Sequence, residues 1–133
     1  MTQLTMDDYQ KLAERTSGAG KEGERRQIIS ALGLAGEAGE FANMIKKLTA
    51  HGHNIPSEEL ADELGDILWY LSEAATACGL SLNNIAIMNI EKLRERYPDG
   101  FSEERSRNII AHRYGWPYNL FGEAVDLAAW QGK

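Results

Sequence analysis

Residues 57–78 read SEELADELGDILWYLSEAATAC. At about 100° per residue, Leu60, Leu64, Ile67, Leu68, Leu71 and Ala75 fall on one apolar stripe. Glu63, Asp66 and Tyr70 form a contiguous flank beside it. That period belongs to a helix. Ser57, followed by Glu58 and Glu59, reads as an N-cap with an acidic first turn, and the helix ends near Cys78 before Gly79.

Helices extend on both sides of this stretch. A long one is expected over roughly Glu24 to Ala50, stopping at His51-Gly52-His53-Asn54-Ile55-Pro56. Ser81 caps another that reaches about Tyr97, where Pro98-Asp99-Gly100 turns the chain. A short helix over about Met6 to Arg15 opens the chain, and the glycine-rich TSGAGKEGE at 16–24 follows as a loop. No segment alternates with period two over a useful length. The expected fold class is therefore all-α, a bundle of three to four main helices.

Composition bounds the function. The 133 residues carry 20 Asp+Glu against 14 Lys+Arg, a formal charge of -6. That balance argues against binding a nucleic acid polymer, which needs a basic face. Bound metal ions can still invert the local charge for a phosphate ligand. Cys78 is the one cysteine, so no intrachain disulfide forms and a cytoplasmic location is expected. The opening MTQLTMDDYQ lacks the apolar core of a signal peptide. The apolar runs fall far short of the about 20 residues of a membrane span.

Polar residues intrude on the apolar stripes. On the first long helix Leu34, Phe41, Met44, Ile45 and Leu48 share a face with Glu37, and Glu40 lies at its edge. On the last, Asn89 sits among Leu82, Ile85, Ala86 and Leu93, with Lys92 and Arg96 alongside. A lone ExxE is usually a solvated helix face. Converging, partly buried carboxylates are different: each unpartnered one costs several kcal/mol in order of magnitude. They protonate in part or are held by a cation, and Mg2+ prefers such oxygen ligands. Gly33, Gly36 and Gly39 lie in a helix interior. Each costs roughly 0.8–1 kcal/mol relative to Ala, so close helix approach or ligand access is expected to offset them. A phosphate loop is rejected, because no Gly-Lys-Ser/Thr ending follows.

Together these motifs resemble the MazG-like branch of the all-α NTP pyrophosphohydrolase superfamily. The carrying residues are Glu37-Ala-Gly-Glu40, then 22 residues, then Glu63-Leu-Gly-Asp66. GLAGEAGEF, ELGDILWYL, NIEKLRERYPDGF and the opening DYQKLAERT match in order. The opening is similar to that of small, often phage-encoded members. The resemblance covers about Asp8 to Phe101 and implies a catalytic helical domain over 1–105. The tail 106–133 holds Tyr114, Trp116, Tyr118, Phe121 and Trp130 and has no readable role.

The resemblance implies hydrolysis of a (deoxy)nucleoside triphosphate to the monophosphate and pyrophosphate, with a deoxypurine such as dGTP as the favoured substrate. It implies two or more Mg2+ or Mn2+ ions on Glu37, Glu40, Glu63 and Asp66. It places Asn89, Lys92, Arg96 and Tyr97 near the phosphates. It also implies self-association as a homodimer or a dimer of dimers (homotetramer). The helix inventory agrees: three helices of about 20 residues, each roughly 30 Å long, carry more apolar face than a short chain covers. Some relatives carry an extra acid directly before the first motif glutamate. Here that position is Gly36, so Glu37 or Glu40 is expected to act as the base.

Other residues carry weaker signals. Lys47, with Lys46, is a phosphate contact or a solvated helix end. Gln10 and Thr16 line a nucleoside pocket if the family's pattern holds. His51 and His53 read as solvated loop residues, Trp69 as an interface residue and Cys78 as core. Two other classes compete. A di-iron carboxylate bundle needs Glu-x-x-His, which this chain lacks. A non-catalytic helical interaction module would carry the acids as surface decoration.

Overall fold

The computed structural model describes residues 4–18 and 23–107. Four main helices run in order: α1 (Met6–Glu14), α2 (Gly23–Ala50), α3 (Ser57–Ala77) and α4 (Leu82–Arg96). One further turn of helix covers 103–107, and no strand occurs among the described residues. The all-α expectation holds, with each main helix within a residue or two of its expected bounds. The expectations for the tail beyond 107, and for 19–22 of the glycine-rich loop, fall outside the described residues.

The chain divides into two units, Met1–Ala86 and Ile87–Lys133. In the first, α2 and α3 form an antiparallel hairpin across the loop 51–56. Gly52 opens that loop at φ +68°, in the left-handed region that glycine enters without a Cβ clash. Gly79 ends α3 in the same way, also at φ +68°. There Gly79 N donates to Thr76 O at 3.0 Å and Leu80 N to Ala75 O at 2.8 Å. This is the paired-bond helix stop that satisfies the last carbonyls.

Directional polar contacts hold α1 in place. Thr5 and Asp8 form a reciprocal capping box at its start. Gln10 Nε2 donates to Thr76 Oγ1 at 3.0 Å and to Leu80 O at 2.9 Å, while its Oε1 accepts from Leu82 N at 2.8 Å. Asp7 Oδ1 accepts from Ser81 Oγ at 2.8 Å and Asn83 N at 3.3 Å. Ser81 Oγ accepts from Asn84 N at 3.1 Å, the expected cap of α4. The expected Ser57 cap is corrected. Pro56 occupies the N-cap position, no side chain among the described residues caps α3, and Ser57 Oγ donates to Glu58 Oε2 at 3.2 Å.

Polar residues run through the α2–α3 seam. Arg26, Ser30, Gly33, Glu37 and Glu40 recur at three- and four-residue spacing along α2. They are matched on α3 by Glu63, Asp66, Tyr70 and Glu73. Leu48, Leu64 and Leu71 of the expected stripes are exposed, at 36%, 49% and 37%. Cys78, expected in the core, is exposed as well. Among the described residues the buried apolar side chains are Ala13, Ala75 and Leu82.

In the second unit, Tyr97 and Phe101 rings lie 5.6 Å apart. Ser102 Oγ accepts from Arg105 N at 3.3 Å, capping the helical turn at 103–107.

Candidate metal centre

The seam register builds the site. Gly33 meets Tyr70, Glu37 and Asp66 lie one turn further on, and Glu40 and Glu63 one turn beyond those. Three- and four-residue steps keep these side chains on facing sides of antiparallel helices. Ligand oxygens of Glu37, Glu40 and Glu63 all lie within 4.8 Å of one another. Glu37 and Glu63 are half-buried, and Glu40 is exposed.

The electrostatics follow from that crowding. Desolvation pushes the Glu37 carboxyl above its ordinary pKa, and the charges of Glu40 and Asp66 add to the effect. Desolvation does the same to Glu63, reinforced by Glu40, Glu37, Asp66 and Asp62. Asp66 is exposed but acts on both glutamates through its charge. Glu63 Oε2 is buried, with no hydrogen-bond partner among the described residues. A buried carboxylate oxygen without a partner carries an uncompensated desolvation cost. A hard divalent cation would satisfy that oxygen and quench the mutual repulsion, and an all-carboxylate donor set suits Mg2+ or Mn2+.

A second polar cluster lies further along the same seam. Glu73 is 2% exposed and Arg26 is 8% exposed. Arg26 Nε and Nη2 donate to the two Glu73 oxygens at 3.1 and 3.0 Å. Ser17 Oγ donates to Glu73 Oε2 at 2.6 Å, and Arg26 Nη1 to Glu14 Oε1 at 3.1 Å. The Glu73 hydrogen bond raises the Arg26 pKa first, opposed by desolvation. This pair is not among the residues singled out from sequence. A signal was present, because Glu73 continues the Glu63–Asp66–Tyr70 flank by three residues.

The other expected site residues are placed as follows. Gln10 engages both its amide nitrogen and its carbonyl with α3, Leu80 and Leu82. Thr16 Oγ1 accepts from Trp69 Nε1 at 2.8 Å and donates to Ala13 O at 2.8 Å. Lys47 is exposed in the last turn of α2, seven residues beyond Glu40. Asn89, Lys92 and Arg96 share one face of α4 at three- and four-residue spacing, and Tyr97 follows the helix. Asn89 and Lys92 are exposed, Arg96 and Tyr97 half-buried. Tyr9, not singled out from sequence, has its hydroxyl pKa raised by desolvation and by the charge of Asp66. No described helix is long and apolar enough to cross a membrane.

Comparison with known proteins adds the following. Residues 27–101, more than half of the chain, match the MazG nucleotide pyrophosphohydrolase domain. A stretch of 73 residues is 36% identical to the Gene 37 protein of Mycobacterium phage L5. It covers 52% of this chain and 64% of that protein, so the chain spans just under two thirds of the relative's length. No solved structure matches.

Proposed function

Because the chain belongs to the MazG nucleotide pyrophosphohydrolase family, we propose that it is a divalent-metal-dependent hydrolase of nucleoside triphosphates. It cleaves the α–β phosphoanhydride bond, giving the monophosphate and pyrophosphate. The observation that carries this reading is the convergence of Glu37, Glu40 and Glu63 around a buried, unpartnered Glu63 oxygen. Glu37, Glu40, Glu63 and Asp66 would hold two or more Mg2+ or Mn2+ ions.

When bound, the ions supply Lewis acidity and neutralise phosphate charge. The chain's own residues do the rest. Gly36 offers no acid directly before Glu37, so Glu37 or Glu40 accepts the proton of the attacking water. The family's pattern assigns Asn89, Lys92, Arg96 and Tyr97, which carry an amide, two cations and a hydroxyl, to the phosphates. They stabilise the charge that develops on the leaving pyrophosphate. Lys47 adds a further positive charge. Gln10 and Thr16, which also tie α1 and Trp69 in place, line the nucleoside pocket in this reading. A deoxypurine triphosphate such as dGTP is the substrate this reading puts first. The exposed Leu64 and Leu71 are covered in this reading by a second copy, as a dimer or a dimer of dimers acting in the cytoplasm.

A panel of the common ribo- and deoxyribonucleoside triphosphates, each with Mg2+ and Mn2+, tests the proposal. Monophosphate plus pyrophosphate is expected, and Glu37→Gln and Asp66→Asn abolish it while far-UV circular dichroism stays unchanged. Diphosphate plus phosphate would refute the cleavage site. No product from any substrate would favour a non-catalytic module.

A further inference from the structure

We propose that the contact between Gly33 and Tyr70 is a positioning device that sets the α2–α3 separation, and with it the spacing of the carboxylate cluster. The inference rests on the reading that Glu37, Glu40 and Glu63 hold a divalent ion.

Gly33 lies one turn before Glu37 on the same stripe of α2, and Tyr70 lies two turns after Glu63 on the facing stripe of α3. A methyl group at position 33 would overlap Cε1, Cδ1 and Cζ of the Tyr70 ring. The ring therefore occupies the space that a side chain on α2 would fill. Gly36 and Gly39 differ: among the described residues a methyl at either would meet nothing within 4 Å. Of the three glycines flanking the acids, one is required by packing, and it faces α3.

Tyr70 is half-buried and backed on one side by Trp69. Its ring is edge-on to Trp69, with centroids 4.8 Å apart and planes at 90°. Trp69 is in turn anchored by Nε1 on Thr16 Oγ1 at 2.8 Å. A support line thus runs from the end of α1 through Trp69 and Tyr70 to the backbone of α2. Ordinary carbon–carbon contact needs about 3.5–4.0 Å, so a methyl at position 33 forces the helices apart by on the order of 1–2 Å. The oxygens of Glu37, Glu40 and Glu63 now lie within 4.8 Å of one another. Parting the helices draws Glu63 away from the two glutamates on α2. Gly33 and Tyr70 are positioning residues, since they act through the carboxylates.

The test is Mn2+ binding by the full chain without nucleotide, read from the free Mn2+ signal in electron paramagnetic resonance. Gly33→Ala is expected to weaken binding about 10–100-fold, the range seen when groups that orient metal ligands are lost. Tyr70→Phe keeps the ring and binds as the unmodified chain. Tyr70→Ala empties the contact and weakens binding. Adding Gly33→Ala to it refills the space and recovers most of the affinity, a compensation that general destabilisation would not give. Gly39→Ala leaves affinity unchanged. Unaltered Mn2+ affinity in folded Gly33→Ala overturns the proposal. If that variant does not fold, equal affinities for Tyr70→Ala and Tyr70→Phe overturn it instead. An unmodified chain that takes up no Mn2+ overturns the metal reading and this inference with it. Loss of binding in Glu37→Gln with none in Gly33→Ala isolates the failure to this inference.

Discussion

Removing the Glu73 carboxylate should cost about as much stability as removing a large buried apolar side chain. Glu73 accepts from Arg26 Nε, Arg26 Nη2 and Ser17 Oγ. Glu73→Ala ends all three bonds and leaves the 8%-exposed Arg26 with Glu14 as its remaining side-chain partner. Breaking a buried pair from one side costs about 3–5 kcal/mol, because the surviving charge stays desolvated. For a chain of this size that corresponds to a fall in Tm on the order of 10–20 °C. Replacing both partners removes the stranded charge, so Arg26→Met/Glu73→Leu should be more stable than either single variant. Urea and thermal unfolding followed by far-UV circular dichroism measure the cycle. A Tm change within about 3 °C for Glu73→Ala, or a coupling energy below about 0.5 kcal/mol, would refute the argument.

Two further outcomes follow from the same seam. The raised carboxyl pKa values of Glu37 and Glu63 contribute stability at low pH that is lost as pH rises through those folded-state values. The Tm in EDTA should therefore fall across and just above the carboxylate range, saturating Mn2+ should reverse the fall, and Glu37→Gln should make it shallower. Gly65 lies exposed in the interior of α3, and a methyl group added there would meet nothing within 4 Å. Gly65→Ala should stabilise the chain by up to about 0.8–1 kcal/mol, and an unchanged urea midpoint would count against that packing.

Helix periodicity and turn chemistry made most of the local structure legible. The glycines at 52 and 79 and the Ser81 cap marked helix boundaries that the structure keeps. Pairing was harder to read. Apolar periodicity puts Leu64 and Leu71 on one stripe without naming what covers it, whereas α2 and α3 meet through Arg26, Gly33, Glu37 and their partners. Hydrophobic stripes report which faces avoid water, not which neighbour covers them. The Glu37–Glu40 and Glu63 convergence was legible because carboxylates at helical spacing stand out on an otherwise apolar stripe. The Arg26–Glu73 pair was harder to read: Glu73 continues the polar flank of α3, but its partner lies 47 residues away and looks like an ordinary surface charge by itself. Gly33 stood out only as one of three costly glycines. Its distinction from Gly36 and Gly39 depends on the position of the Tyr70 ring.

The way α1 is attached bears on the order of assembly. Its ties through Gln10 and Asp7 reach residues 66 to 76 positions away, while the hairpin of α2 and α3 closes over a six-residue loop at 51–56. Loop-closure entropy favours the near contacts, so the hairpin is the natural early folding unit and α1 docks late. The three convergent glutamates belong wholly to that hairpin. Local opening of α1 would then leave their helices paired, while releasing Thr16 from Trp69 and slackening the support behind Tyr70. The first helix can thus exchange on its own timescale, separately from the slower-opening hairpin that carries the three carboxylates.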